Sequence, residues 1–269
     1  MKTKTIKTKH VYSGKKESTV YLKNHKEGWS PINFHWIPTV KLNNELNIIT
    51  NKMKNLVILP IALLLTFLSS CSRDTITGSG SLTSEFRNVA NFTKVDSEGV
   101  FNVIITQGAS QSIEVIADDN IINEVKTNVE DDELKLYLDD DYNYRGISLK
   151  VNIIVPSINS IKNSGIGNIT IIDVDTIGDF YVYNSGTGDI SIEGGAKSLT
   201  LKNEGSGNFE GLLFTINDCN VNIIGSGDCK VNCTNNLNVR IEGSGDVYYI
   251  GAPVIEANIS GSGKIINSN

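Results

Sequence analysis

The sequence predicts an all-β protein, a parallel β-solenoid (β-helix) with about 18–21 residues per coil. A glycine–any–glycine motif recurs six times in the last 105 residues, with steps of 21, 19, 20, 18 and 18 residues between first glycines. Between the motifs, apolar residues alternate with polar ones, as in strands with one buried face. The motif glycines are Gly165, Gly167, Gly186, Gly188, Gly205, Gly207, Gly225, Gly227, Gly243, Gly245, Gly261 and Gly263.

Counted from the first glycine of each motif, even positions are mostly apolar and odd positions mostly polar. The column four residues before that glycine contains Ile161, Val182, Leu201, Val221, Val239 and Ala257. Because successive side chains of a strand alternate faces, even positions predict the interior and odd positions the surface. Parity places Tyr181 and Tyr248 outside, either as ordinary surface tyrosines or as stacking residues for a sugar.

The motif glycines themselves fall at inward positions. This predicts corners where the chain passes close over the core and adopts a bend that glycine permits. Two residues before the first glycine, another inward column reads Asn163, Asn184 and Asn203 before it changes to isoleucine. Stacked amides hydrogen-bond along such a column, so we interpret these asparagines as a structural ladder. The alternative is a β-sandwich in which the motifs are unrelated hairpin turns.

The repeat weakens toward the N-terminus. Gly99-Val100-Phe101-Asn102 keeps the motif with phenylalanine in place of the second glycine. Strand-like runs over 103–106, 112–117, 134–138 and 148–155 are separated by turn signals and acidic clusters. We therefore expect less regular N-terminal coils or hairpins in this part.

The segment 53–71 has the pattern of a secretory signal, with a basic start, a short apolar run and small residues before a cysteine. Its last residues, Leu68-Ser69-Ser70-Cys71, resemble the lipobox of bacterial lipoproteins, which predicts a lipid on Cys71 and attachment to a membrane through it. Ser72, in place of an aspartate, favours the outer membrane of the cell envelope. A plain secreted protein with a coincidental cysteine is the alternative.

These features predict four segments. Residues 1–52 are a lysine-rich leader that does not normally precede a signal; we expect it to be disordered and to reflect a start codon assigned too far upstream. Residues 53–71 form the lipoprotein signal peptide, 72–87 a linker or first coil, and 88–269 the β-solenoid domain.

The charge of the expected mature chain excludes several classes of partner. The whole sequence carries a net charge of −6, but residues 72–269 hold 13 basic and 27 acidic residues, a net charge of −14. Such a surface argues against nucleic acid and anionic lipid as ligands.

The same segment, residues 72–269, has no histidine, which excludes serine–histidine and cysteine–histidine mechanisms and histidine-ligated metals. We expect no cofactor.

Three cysteines remain after Cys71, namely Cys219, Cys229 and Cys233. Cys219 and Cys229 occupy inward columns that otherwise hold aliphatic residues, so we interpret them as core residues. A bridge from Cys233 to either of them stays open, because an exported protein meets an oxidising compartment.

A weak calcium candidate is the outward column three residues after the first glycine, with Asp189, Asp228 and Asp246. Stacked carboxylate oxygens are ligands that calcium prefers. Solvated turn residues are the simpler interpretation, because asparagine alternates with aspartate in this column.

The order of several motifs resembles a known family. Residues 92–96, 103–108, 117–120 and 149–156 precede the repeated Gly-Ser-Gly-Asp, and together they resemble the family called putative auto-transporter adhesin, head GIN domain, over roughly residues 90–265. The resemblance implies a right-handed β-solenoid at the cell envelope. It transfers architecture better than activity, and no binding residues come with it.

We therefore expect a non-enzymatic, lipid-anchored envelope protein that presents an extended surface for adhesion to a glycan or protein ligand. One alternative is a glycan-binding module, assisted by calcium, that uses Tyr248 and neighbouring acidic residues. The other is a polysaccharide-active enzyme, which would need clustered carboxylates or a basic residue beside calcium.

Overall fold

The computed structural model describes residues 73–269 in full and, upstream, the backbones of two antiparallel strands, β1 (Val20–Asn24) and β2 (Gly28–Ile32). The signal segment and Cys71 lie outside the described residues. The chain divides into two units, Met1–Ser72 and Arg73–Asn269, and the second is the one described in full. Among the described residues, no helix is both long enough and apolar enough to cross a membrane.

The unit from Arg73 onward consists of strands and one short 3₁₀ turn at Ile122–Glu124. The strands are β3 (Asp74–Thr77), β4 (Leu82–Arg87), β5 (Lys94–Ser97), β6 (Asn102–Gln107), β7 (Ser112–Asp118), β8 (Val125–Glu130), β9 (Glu133–Leu138), β10 (Tyr142–Arg145), β11 (Leu149–Val155), β12 (Ser160–Asn163), β13 (Ile169–Asp175), β14 (Asp179–Asn184), β15 (Ile190–Asn203), β16 (Phe209–Ile223), β17 (Cys229–Ile241), β18 (Val247–Ile250), β19 (Val254–Ile259) and β20 (Ile265–Asn267).

Consecutive copies of the glycine motif pair in parallel and in register. Tyr181 of β14 lies beside Thr200 of β15, which lies beside Asn220 of β16, then Asn238 of β17 and Glu256 of β19. Each residue thus lies beside the residue at the same position of the next repeat. The inward column in the same strands is buried, with exposures of 4% or less at Val182, Leu201, Val221 and Val239. Parity therefore identified the buried face of these strands.

The sheet as a whole has a different architecture from the one predicted. Sixteen strands form one sheet of mixed order, in which β4, β7 and β11 pair antiparallel, and β8 pairs antiparallel with β9. The predicted right-handed parallel β-solenoid is therefore wrong: the sheet is a nearly closed barrel with mixed strand order.

The antiparallel pairing of β8 with β9 has a local cause in the turn that joins these two strands. Between β8 and β9, Asp131 and Asp132 have φ angles of 49° and 64°. Two successive residues with positive φ form the tight turn whose twist suits a two-stranded hairpin, and aspartate tolerates that conformation. The chain therefore reverses at this point instead of continuing into another parallel strand.

The motif glycines are required by backbone packing between neighbouring repeats. A Cβ built on Gly225 would lie 1.9 Å from the carbonyl oxygen of Gly205, and one on Gly227 would lie 2.0 Å from that of Gly207. Neither glycine has φ in the left-handed region. The reason for glycine here is close approach of two backbones, and not the bend conformation that the sequence led us to expect.

The three cysteines Cys219, Cys229 and Cys233 are buried free thiols in the core. Cys233 Sγ donates to the carbonyl oxygen of Asn236 at 3.0 Å. Burial raises the pKa of the Cys229 thiol to about 12. At neutral pH Cys229 is therefore protonated and fills the core as a small apolar residue.

The C-terminal end of the sheet lacks the cover that the other repeats have. In β19, Ile255 and Ile259 occupy columns that are buried in earlier repeats, yet they are 39% and 45% exposed. Within the described residues β19 pairs only with β17, and β20 only with β18. This end therefore presents two strand edges and an uncovered part of the core.

Candidate functional site: a polar groove on the outer face

Asn163, Asn184 and Asn203 are fully buried. Their amides bond to the backbone of the glycine corners and, within residues 73–269, not to one another. Asn163 Nδ2 donates to the carbonyl oxygens of Gly167 at 3.1 Å and Gly188 at 3.3 Å, and its Oδ1 accepts from the Gly165 N–H at 3.2 Å. The column therefore satisfies inward-facing polar groups of the corners, which is a structural role.

Asn203 repeats this pattern incompletely. Its Nδ2 donates to the carbonyl oxygens of Gly207 at 2.9 Å and Gly227 at 3.3 Å, while its Oδ1 is buried without a partner among the described residues. The next residue of the column is Ile223. Asn203 is thus the last asparagine of the column, where the polar lining gives way to an aliphatic one.

The calcium candidates Asp189, Asp228 and Asp246 belong to a column of hydrogen bonds on the outer surface. Oδ1 of each accepts the backbone N–H at the same position of the next repeat, with distances of 2.7, 2.8 and 2.7 Å. Asn168 and Asn208 do the same at 2.9 Å. An amide oxygen serves as well as a carboxylate in this role, which explains why the two residue types alternate.

The described part of the chain contains no cluster of three or more histidine, cysteine, aspartate or glutamate side chains placed to hold a metal ion. The column of aspartates and asparagines therefore orders the starts of neighbouring strands, and three of its six positions carry a carboxylate.

A shallow groove of about 770 Å³ runs across the outer face of β14, β15, β16, β17 and β19. It is built from two outward columns, five and three residues before each first glycine, which parallel pairing places side by side. The side chains that give it its character are Tyr181, Lys202, Asn220, Asn238, Arg240 and Glu256. The groove crosses five strands, so its long axis runs from one repeat to the next, perpendicular to the strands.

Charges in and beside the groove occur as pairs. Lys202 Nζ lies 2.7 Å from Glu204 Oε1 and 5.5 Å from the centroid of the Tyr183 ring. Arg240 is paired with Glu242. Exposed pairs of this kind hold each other loosely, at about 0–1 kcal/mol, so their hydrogen-bonding groups remain available to a ligand.

The amides of the groove have unused hydrogen-bonding capacity. Asn238 Nδ2 donates to Asn220 Oδ1 at 3.0 Å, and the hydrogen bonds among residues 73–269 leave Asn238 Oδ1 and Asn220 Nδ2 unused. Asn222 Oδ1 is buried and without a partner in the same part of the chain. A buried acceptor left unsatisfied costs about 1–3 kcal/mol, so turning the Asn222 amide toward a donor is favourable.

The N-terminal continuation of this face carries a charged cluster on β5, β9 and β12. Asp96 lies between Lys162 of β12 and Lys135 of β9 in the strand register. Lys162 Nζ is 2.7 Å from Glu133 Oε1. The pKa of Asp96 is raised to about 6 despite the two lysines. Partial burial is the largest cause, and the negative charges of Glu133 and Glu98 add to it.

This raised pKa predicts a pH-dependent stability. The folded protein holds the Asp96 proton more tightly than the unfolded chain, whose ordinary value is 3.8. Stability from this group is therefore present below about pH 4 and is lost as the pH rises through about 6. Asp96→Asn should raise the free energy of unfolding at pH 8 by on the order of 1 kcal/mol, after allowance for solvent screening.

The measurement is urea unfolding of both proteins at pH 4 and pH 8, with Asp175→Asn, remote from this cluster, as a control. An equal effect of Asp96→Asn at both pH values would contradict the assignment.

The family described as "Putative auto-transporter adhesin, head GIN domain" matches residues 91–253, more than half of the sequence. The chain belongs to this family. No protein of the curated set matches it.

Solved structures resemble this GIN domain along their entire length. A "putative adhesin" from Bacteroides fragilis is 27% identical, with a TM-score of 0.60 over 72% of this chain and 100% of that one. A "putative lipid binding protein" from Parabacteroides distasonis is 20% identical, with a TM-score of 0.50 over 73% and 100% of the two chains; this likeness concerns the fold alone.

The GIN domain keeps the two sequence-predicted stacking candidates apart. Tyr181 lies at the groove and is 37% exposed, while Tyr248 lies on β18 beside Lys230, outside the groove. Sequence reasoning did not single out Asn238 and Glu256 as site residues. The signal was present in the odd positions of each repeat, but only the strand register shows that they adjoin.

A second cavity, of about 530 Å³, lies beside β10 of the GIN domain and is lined by Val100, Leu138, Tyr142, Tyr144 and Ile166 among others. Tyr144 Oη donates to the carbonyl oxygen of Asp139 at 2.9 Å, and partial burial raises the Tyr144 pKa to about 12. The tyrosine thus remains a neutral donor, and Tyr142 and Asn143 are the other polar side chains of the lining.

Proposed function

We propose that this GIN-domain protein is a lipid-anchored component of the cell envelope that uses the polar groove for adhesion and performs no chemistry. Two comparisons support the proposal: membership of a family named for adhesin heads, and a structural relative described as a putative adhesin. The observation that carries it is the groove itself, a regular array of outward side chains open to solvent over five strands.

The chemistry of the groove favours binding over catalysis. Catalytic sites generally hold an acid or base with a shifted pKa in a place that excludes water. Here Lys202 and Arg240 are paired with carboxylates beside them, and the groove is open. Asp96, the carboxyl group with a raised pKa, belongs to the charged cluster and not to the groove lining.

Attachment to the envelope rests on the sequence of residues 68–71. A cysteine at the end of a secretory signal is the site at which bacterial lipoproteins receive their lipid, and multiple acyl chains hold a protein on a membrane far more firmly than one does. Cys71 directly precedes the domain that begins near Arg73. The lipid would therefore hold the domain close to the membrane surface.

Cys71→Ser should move the protein from the membrane fraction to the soluble fraction of the expressing bacterium, because the acyl chains are lost while the domain is unchanged. The measurement is fractionation with mass spectrometry of the N-terminal peptide, and Cys233→Ser serves as the control for a cysteine inside the domain. Retention of Cys71→Ser in the membrane fraction would contradict lipid anchoring.

Adhesion itself is tested on intact cells. Protease treatment should release peptides of residues 160–269, and cells lacking the protein should attach less to the host or polysaccharide surface on which the organism grows. Complete protection from protease in otherwise accessible cells would place the domain inside the envelope and would contradict an adhesive role.

A further inference from the structure

The groove on β14–β19 has a repeating arrangement of hydrogen-bonding groups. Neighbouring strands lie about 4.8 Å apart, which is comparable with the length of one sugar ring in an extended chain. Asn220 and Asn238 occupy equivalent positions of successive repeats, and each amide carries both donors and an acceptor. A ligand with hydroxyl groups at regular intervals fits this array, because a hydroxyl also donates and accepts.

The ends of the groove add two further kinds of contact. Tyr181 presents a partly exposed aromatic ring at one end, and aromatic rings combine an apolar face with a polar hydroxyl. Glu256, on β19 at the other end, is exposed and has no ion pair among the described residues. These two contacts lie four strand spacings apart, about 19 Å, so they would engage different rings of one sugar chain, the first by its apolar face and the second by a hydroxyl group.

The charges of the groove argue against an acidic ligand. Lys202 and Arg240 are neutralised by Glu204 and Glu242, and residues 72–269 carry a net charge of −14. A polyanion would therefore be repelled at long range. Protein partners, for their part, are held mainly by aromatic and arginine anchors in fully desolvated pockets, whereas this groove is shallow and open and its middle is occupied by amides.

We infer that the groove binds a neutral oligosaccharide, which lies across β14–β19 with its hydroxyl groups bonded to the Asn220 and Asn238 amides. The inference rests on the proposed adhesive function and names the ligand class for that same site. It assigns the Arg240 guanidinium and the Glu256 carboxylate as additional partners for hydroxyl groups, and the Tyr181 ring as the packing surface.

The test is binding of hexasaccharides from glucan, mannan and xylan to the purified full chain, with polygalacturonate oligomers as the acidic counterpart. At least one neutral hexasaccharide should bind, and 0.5 M salt should leave its affinity nearly unchanged. The double variant Asn220→Ala/Asn238→Ala should weaken binding about tenfold or more, since two amide contacts are lost.

Asn232→Ala is the matched control. Asn232 belongs to β17, as Asn238 does, but it lies outside the groove and donates to the carbonyl oxygen of Leu212 at 3.2 Å. It should change affinity less than twofold. A thermal unfolding curve for each variant separates a loss of contacts from a loss of folded protein.

Three results would overturn the inference. They are binding by none of the neutral probes, salt-sensitive binding by polygalacturonate alone, and binding that the groove variant and Asn232→Ala affect equally. Adhesion of intact cells distinguishes these results from a failure of the proposed function. If cells adhere through the protein but no oligosaccharide binds, the adhesive function stands and the sugar ligand is rejected. If neither is observed, both hypotheses are rejected.

Discussion

Replacing Gly225 by alanine is expected to destabilise the domain by about 3 kcal/mol or more. The new Cβ would lie 1.9 Å from the Gly205 carbonyl oxygen and 2.7 Å from the Glu204 backbone. Backbone atoms cannot rotate aside as a side chain does, so the two repeats must separate and lose hydrogen bonds on both sides of the corner. Ser226 N–H, which donates to the Gly205 carbonyl at 3.0 Å, is in the affected segment.

Gly178→Ala provides the control for this substitution. The atom nearest to a Cβ at Gly178 is the Thr176 hydroxyl oxygen at 3.5 Å, an ordinary contact distance. We expect this variant to stay within about 0.5 kcal/mol of the parent, as most substitutions away from special sites do. Urea unfolding of the three proteins gives both values; an effect of Gly225→Ala no larger than that of Gly178→Ala would refute the packing explanation.

Asn163→Ala is expected to cost about 3 kcal/mol. The substitution leaves the Gly167 carbonyl oxygen and the Gly165 N–H without the amide that satisfies them, and it opens a cavity beside the core. Asn203→Ala should cost less, by about 1 kcal/mol, because the Asn203 Oδ1 is itself an unsatisfied acceptor that the substitution removes.

The same unfolding experiment measures both asparagine variants, with the exposed Asn238→Ala as a control that should change stability little. A reversed order, with Asn203→Ala the more destabilising, would show that the hydrogen bonds of these amides do not determine their contribution.

Much of the C-terminal part could be predicted from the sequence because one short motif recurs there. Its period predicted which residues of β14, β15, β16 and β17 face the core, and Val182, Leu201 and Val221 are buried as parity required. The family was also identified correctly from short motifs. These predictions succeeded because strand alternation is a local property that the side chains record directly.

The architecture of the complete sheet could not be predicted in the same way. Residues 82–138 contain no complete copy of the motif, and their strands join through turns such as Asp131–Asp132, whose two positive φ angles reverse the chain. A pair of aspartates in an acidic run does not by itself predict that conformation. The mixed strand order thus depends on turns, whereas the sequence argument depended on periodicity.

The groove was only partly accessible to sequence reasoning. Tyr181 was placed outside by parity, but the other residues of its column come from four other repeats and change type along the column: Thr200, Asn220, Asn238 and Glu256. A column without a constant residue type is visible only when the register is known. The function of the glycines was likewise clear only from the distance between two backbones.

The close stacking of glycine corners also has a consequence for how this protein changes length in evolution. Each corner packs mainly on the backbone of the preceding one, and the column from Asn168 to Asp246 uses a side-chain oxygen and the N–H of the next repeat. Duplication of one whole motif unit in the gene would therefore preserve contacts of this kind, and so does variation in repeat length, since the corners stay stacked although the steps between them range from 18 to 21 residues. Each such duplication would lengthen the groove by about 4.8 Å, the spacing of neighbouring strands.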